Sequence, residues 1–309
     1  MLRVENVNKT FKTKRMFHRR EVQAVRELSV EVPEGKCIGL VGESGCGKST
    51  LGRMACGLLR PDSGTITLDG KDIYSRSVRR DRDLKHRIQI VFQDYLSAVD
   101  PRMTAAEIIR EPIRNFAIVD YEKWDDRVRE LIRTVALHES DLQKYPNQFS
   151  GGQLQRIAIA RALASDPDYI VLDEPLSSLD VSVQAQILNL LSDLKKSTGI
   201  SFLLISHDLE AVYYISDEIY VMYAGMIMEY IRDINEMDKV CHPYSKRLLN
   251  IGYEQEETVE EETSALDVSD AGCPYCNRCE RCTERCASEV PEITELSSAH
   301  GIRCFNPYG

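Results

Sequence analysis

The sequence predicts an α/β protein built on a mostly parallel sheet, and three observations carry that expectation. An apolar run, Cys37–Val41, feeds a glycine-rich turn and then a helical pattern. Two more apolar runs, Tyr169–Leu172 and Ser201–Ile205, flank a helical stripe of Val183, Ile187, Leu190, Leu191 and Leu194 that stops at Gly199. Strand, helix, strand in that order is a βαβ unit, which implies parallel strands. The third is size: 309 residues hold one large α/β body and a smaller unit.

Taken in order, Leu2, Val4 and Val7 open a short strand. Val22, Ala24, Leu28, Val30 and Val32 mark a second extended stretch before the turn Pro33-Glu34-Gly35. Helix is expected over Ser49–Leu59, and strands at Ile66/Leu68 and Ile88–Phe92. From about residue 103 to 165 the apolar spacing turns helical, through Ile108, Ile109 and Ile113 and then Val128, Leu131, Ile132 and Val135. Glu254–Glu262 holds six acids in nine residues and reads as a solvated linker. The basic clusters Lys12–Arg20 and Arg76–Arg87 read as solvated loops.

Composition narrows the function. Apolar residues make up 43% and charged residues 28%, the range of a folded chain. A net charge of −10 and a pI near 5.3 argue against a nucleic-acid partner. No run approaches the ~18 apolar residues of a membrane-spanning helix. The first twenty residues carry seven Lys/Arg without an apolar stretch, so no export leader is expected. A reducing compartment follows, and metal binding is then a stronger reading of the ten cysteines than disulfides.

Gly42-Glu43-Ser44-Gly45-Cys46-Gly47-Lys48-Ser49, followed by Thr50, fits G-x-x-x-x-G-K-[ST] between a strand and a helix. Glycines there let backbone N–H groups converge on phosphates. Lys48 can neutralise the β- and γ-phosphates, and the Ser49 hydroxyl can join a magnesium shell. Asp173 and Glu174 end the apolar run Tyr169–Leu172. The first acid suits magnesium and the second suits polarising a water. Phe149-Ser150-Gly151-Gly152-Gln153 opens another helix, Leu154–Ala164, and makes a second anion cradle. One nucleotide needs one cradle, so the second points to another molecule's nucleotide.

These stretches resemble the ABC ATPases, whose signature (usually LSGGQ) Phe149–Gln153 matches apart from its first residue. Gln93 in Val91-Phe92-Gln93-Asp94, Ser177-Ser178-Leu179-Asp180 and His207 in Ile205-Ser206-His207-Asp208 follow the family's order over about residues 1–235. The resemblance implies a P-loop ATPase core with an antiparallel β subdomain and a helical subdomain inserted at about 97–165. A small Cys-rich C-terminal extension completes it. It implies a head-to-tail dimer enclosing two ATP molecules with Mg2+. Lys48, Ser49, Gln93, Asp173, Glu174 and His207 of one subunit would meet Ser150, Gly151 and Gly152 of the other. Gln93 would ligate magnesium, His207 would contact the γ-phosphate, and Asp180 would help couple the two sites. Phe11 stands where the family stacks an aromatic ring on adenine, although Phe11 taken alone reads as a core residue.

His242-Pro243-Tyr244-Ser245-Lys246-Arg247-Leu248-Leu249 resembles the segment that follows the ATPase body in oligopeptide, dipeptide and nickel importers. The resemblance extends over 236–309, with a Cys-rich tail at 263–309 expected to fold as a separate small domain. In some members of that group four tail cysteines hold a [4Fe–4S] cluster, and the matching positions are Cys273, Cys279, Cys286 and Cys304. Cys276 and Cys282 are additional and could substitute, and zinc is the alternative metal. The implied protein energises an importer of peptides or a related solute from the cytoplasmic face of the membrane. It would work with two permease subunits, an extracytoplasmic solute-binding protein and an identical or related ATPase. The competing readings are a soluble ABC ATPase acting on DNA or ribosomes, and a P-loop kinase. A kinase would not need Phe149–Gln153 or His207.

Overall fold

The computed structural model describes residues 1–15, 18–75, 82–94, 96–177, 179–249 and 271–309. The acidic stretch 254–262 and Ser178 lie outside them. The chain runs β1 (Leu2–Arg15), β2 (His18–Val32), β3 (Cys37–Val41), α1 (Lys48–Ala55), β4 (Ser63–Leu68), β5 (Lys71–Asp72), α2 (Arg82–Lys85) and β6 (Ile88–Val91). The helices α3 (Ala105–Phe116), α4 (Trp124–Thr134) and α5 (Gly151–Leu163) follow, then β7 (Tyr169–Asp173), α6 (Val181–Thr198), β8 (Ser201–Ile205) and α7 (Leu209–Ile215). The chain continues through β9 (Glu218–Tyr223), β10 (Met226–Ile231), α8 (Pro243–Leu248), α9 (Glu284–Ser288), β11 (Thr294–Ser297) and β12 (His300–Ile302).

The larger sheet is ordered β11-β12-β10-β9-β3-β8-β7-β6. From β9 to β6 the strands are parallel, and β10, β12 and β11 continue the sheet antiparallel. A second, antiparallel sheet is ordered β2-β1-β4-β5. Strand alternation sorts the central residues between two cores. Ile38 and Leu40 of β3, Val171 of β7 and Leu203 and Ile205 of β8 face the antiparallel sheet and α1. Cys37, Val41, Ile170, Leu172, Phe202 and Leu204 face the helices on the other side. Burial on both faces explains why these strands read as continuous apolar runs.

Four expectations change. Helix α1 stops at Ala55 rather than Leu59, because Cys56 leaves helical geometry and Gly57 turns left-handed at φ +74°. Of the basic stretch Lys12–Arg20, residues 12–15 and 18–20 lie on the paired strands β1 and β2, where Lys12 meets Glu21, and residues 16–17 lie outside the described ones. Of the basic stretch Arg76–Arg87, residues 76–81 lie outside the described ones, and Arg87, in the turn before β6, is ion-paired with Asp168 and Asp69 rather than merely solvated. The tail is not a separate domain. Strand β12 pairs with β10, and Cys273, Tyr275 and Cys286 join the same core as Leu204 and Ile231. Gly301 permits the pairing, since a Cβ there would stand 2.4 Å from the Tyr230 ring.

Candidate functional site

The phosphate loop lies between the end of β3 and the start of α1. Two glycines are required by close approach. A Cβ on Gly42 would stand 2.1 Å from the Met222 carbonyl oxygen, and one on Gly47 2.0 Å from that of Ala24. Lys48 is buried, and its Nζ donates to the carbonyls of Gly42 (2.6 Å) and Glu43 (2.9 Å). Cys46 packs beneath it as a buried thiol that burial keeps protonated. Ser44 and Gly45 face solvent, and Thr50 is half-buried on α1.

The next group comes from β7. Ser49 Oγ donates to Asp173 Oδ1 at 2.8 Å, so the loop and the strand end share one oxygen pair. Burial raises the Asp173 carboxyl above its ordinary range, and the Ser49 hydrogen bond opposes that shift. Two adjacent oxygens on elements that both face the phosphate cradle are a fit for a hard cation such as Mg2+. Glu174 is left-handed at φ +48°, and its N–H is held by the Ile205 carbonyl at 2.9 Å. Gln93 Nε2 donates to Glu174 Oε2 at 2.9 Å, and His207 Nδ1 stands 3.4 Å from the same oxygen. Gln93, Glu174 and His207 thus converge on one carboxylate from the ends of β6, β7 and β8. His207 remains 62% exposed, as a group that meets a ligand must.

The second cradle stands apart on α5. Ser150 is its N-cap: Ser150 Oγ accepts from the Gln153 N–H at 3.4 Å, and Gln153 Oε1 accepts from the Ser150 N–H at 3.0 Å. Ser150 and Gly151 face solvent, whereas Gly152 is buried against Val183, which a Cβ would meet at 2.3 Å. An outward-facing helix N-terminus can receive an anion from another molecule. Asp180 is exposed at the start of α6 and makes no side-chain cap. Phe11 is 41% exposed on the β1/β2 hairpin, which overturns its reading as a core residue. The sequence misled because an aromatic among alternating residues does not reveal which face is covered.

In the tail, Cys276 and Cys282 are joined as a disulfide, so the expectation that they stand in as metal ligands gives way. Cys273, Cys279, Cys286 and Cys304 remain free thiols. Burial, with a smaller contribution from the neighbouring thiols, pushes Cys273 and Cys304 up to about 11. Burial raises Cys279 as well. Among the described residues, Glu229, Cys241 and His300 are the one His/Cys/Asp/Glu group of three with ligand atoms all within 4.8 Å.

That Glu229 group was missed by sequence reasoning. Its carboxylate is wholly buried, accepts from His300 Nε2 at 2.9 Å and from the Cys241 N–H at 2.8 Å, and also takes the His242 N–H. Burial pushes the carboxyl up, and the hydrogen bonds outweigh it and hold it below its usual range. A single acid in the apolar strand Met226–Ile231 is the signal that could have marked it.

A phosphate loop, a magnesium-suited oxygen pair and a carboxylate held by Gln93 define a P-loop ATPase, and the outward cradle on α5 narrows the class. The ABC transporter family model matches residues 25–177. The oligopeptide transport ATP-binding protein AppF of Bacillus subtilis (strain 168) is 38% identical over 98% of this chain and 96% of its own length. YkfD of the same organism is 39% identical over 93% of this chain and 90% of its own. Among solved structures, the dimeric post-hydrolysis ATP-binding cassette MJ0796 bound to ADP and Pi is similar. It has a TM-score of 0.66 at 28% identity, over 74% of this chain and 96% of that one. The chain belongs to the ABC transporter family, as an ATP-hydrolysing cassette.

Proposed function

We propose that this chain hydrolyses ATP to drive an importer of peptides or a related small solute. It acts as one of two ATPase subunits on separate membrane permeases. Relatives named for oligopeptide transport, similar over nearly the whole chain, support the cargo class. Among the described residues no helix is long and apolar enough to cross a membrane, which accords with a peripheral subunit. The reading places the chain at the cytoplasmic membrane face. It adds an extracytoplasmic solute-binding protein and an identical or related second ATPase.

The observation that carries the chemistry is the convergence of Gln93 and His207 on Glu174. In this reading Phe11 stacks on adenine. Gly42–Ser49, with Thr50, holds the phosphates, and Ser49, Gln93 and Asp173 hold magnesium. Glu174 takes a proton from water as the oxygen attacks the γ-phosphorus and the bond to the β-phosphate oxygen breaks, releasing ADP and phosphate. His207 contacts the γ-phosphate. Ser150, Gly151, Gly152 and Gln153 of the other subunit complete the cradle, and Asp180 couples the two sites.

Residues 1–235 make up the nucleotide-binding unit, with its helical insertion at about 97–165, and 236–309 make up the extension. The free thiols of Cys273, Cys279, Cys286 and Cys304 are the four that would hold a [4Fe–4S] cluster, with zinc as the alternative metal. Bound there, the cluster supplies a cross-link whose binding free energy adds to folding. Co-purification with two polytopic membrane proteins and ATP hydrolysis stimulated by peptide test the function. A chain that hydrolyses ATP and associates with ribosomes or DNA instead overturns it.

A further inference from the structure

Glu43 is the second residue of the phosphate loop, and three of its groups are held. Its carbonyl accepts from Lys48 Nζ at 2.9 Å. Its N–H donates to the Tyr244 hydroxyl at 2.9 Å, and its Oε2 meets Arg278 Nη1 at 2.7 Å. Two of these three partners come from beyond residue 235. Tyr244 lies on α8. Arg278 sits in the turn Cys276–Arg278, between a disulfide cysteine and the free thiol of Cys279. The same turn is wedged into the protein by Tyr275, whose ring is 5.2 Å from that of Tyr223 and 5.1 Å from that of Tyr244. Tyr275 is buried, so the turn has little freedom to carry Arg278 elsewhere.

The charge logic is specific. A carboxylate at this position stands beside the site of a polyanion and, left alone, would repel it. Arg278 cancels that charge, and the Glu43 hydrogen bond in turn holds the guanidinium firmly charged. The Glu43 carbonyl also sets where the Lys48 ammonium rests before it turns to phosphate. We propose that Arg278 is a positioning residue for the phosphate loop, so that the fold of the cysteine-rich tail sets how tightly the chain holds ATP. This rests on the nucleotide-site reading above. It extends it from the ATPase body to a segment 235 residues away in sequence.

Binding of the fluorescent nucleotide mant-ATP with Mg2+ to the full chain, prepared anaerobically, tests the proposal. Arg278→Gln should raise the Kd about fivefold, equivalent to about 1 kcal/mol for a partly exposed ion pair. The loss should appear in KM rather than kcat. Arg278→Lys should recover much of the affinity, because the charge opposite Glu43 is kept while the second contact, to Tyr223, is lost. Adding Glu43→Gln to Arg278→Gln should produce no further weakening, since the charge that Arg278 neutralises is then gone. Equal circular dichroism and iron content across the variants show that the tail remains folded. Unchanged affinity in folded Arg278→Gln, or strictly additive losses in the double variant, overturns the proposal and leaves the nucleotide site intact. Wild-type protein that binds no mant-ATP overturns the nucleotide-site reading itself.

Discussion

The nucleotide end and the cysteine end of this molecule are built by opposite means. At the nucleotide end each chemical group stands at or just beyond the end of a parallel strand. Lys48 and Ser49 follow β3, Gln93 follows β6, Asp173 and Glu174 end β7, and His207 follows β8. The sheet register fixes their spacing before any side chain packs. At the cysteine end the groups come from turns, a five-residue helix and a short strand. Those pieces hold position through Glu229, His300 and a cluster of tyrosine rings. One end inherits its geometry from the backbone, and the other must close it side chain by side chain. Substitutions should therefore damage chemistry without stability at the first end, and stability before chemistry at the second.

The largest expected effect is at Glu174. Glu174→Gln removes the proton acceptor and keeps the loop, so kcat should fall by about 10²–10⁴-fold while mant-ATP binding is retained. Phosphate-release kinetics beside a binding titration check this, and normal turnover would remove Glu174 from its role. At the other end, Glu229→Ala leaves His300 and the backbone donors of Cys241 and His242 without their acceptor. Breaking a buried pair of this kind costs about 3–5 kcal/mol. Denaturant unfolding should show that loss, together with faster proteolysis of the tail. A stability equal to wild type would mean that the tail is held by other contacts.

The cysteines sharpen the contrast. Cys279→Ser should abolish iron and sulfide binding, whereas Cys276→Ser should retain both, because only the first belongs to the free quartet. Elemental analysis of anaerobically purified protein decides, and equal loss in both variants would merge pair and quartet into one site. The smallest effects are at helix caps. Thr104 caps α3 as Ser150 caps α5, its hydroxyl accepting from the Glu107 N–H, and Ser150→Ala and Thr104→Ala should each cost about 1 kcal/mol of stability. Ser150→Ala alone should also weaken the dimer formed by Glu174→Gln in ATP, measured by light scattering. Equal dimerisation in both would remove the α5 cradle from the interface.

Much of the nucleotide end was legible because its motifs are local. Gly42–Ser49, Asp173-Glu174 and Phe149–Gln153 each declare a strand end or a helix start within a few residues. The parallel order of β7 and β8 follows from one apolar stripe between two apolar runs. What sequence could not give is what only tertiary closure decides. Glu229 reads as one acid in a strand until His300 arrives from 71 residues away. Cys276 and Cys282 share a spacing with ligand cysteines, and only their placement separates pair from quartet. Phe11 looked buried because phenylalanine usually is, and the face of β1 that it occupies is left uncovered. The tail looked independent because Glu254–Glu262 reads as a solvated linker, although with few large apolar residues it is short of a core of its own. The protein solves that shortage by lending it a place in the main sheet.

That loan has a consequence for β10. All six of its residues, Met226–Ile231, are buried, and β12 occupies the hydrogen-bonding side that β9 does not. A chain ending before residue 290 would present an apolar strand with unpaired N–H and C=O groups along one side. Such a strand recruits whatever extended peptide it meets, including its own copies. Strand β12 therefore shields that edge of β10 from such pairing, whatever metal the tail holds.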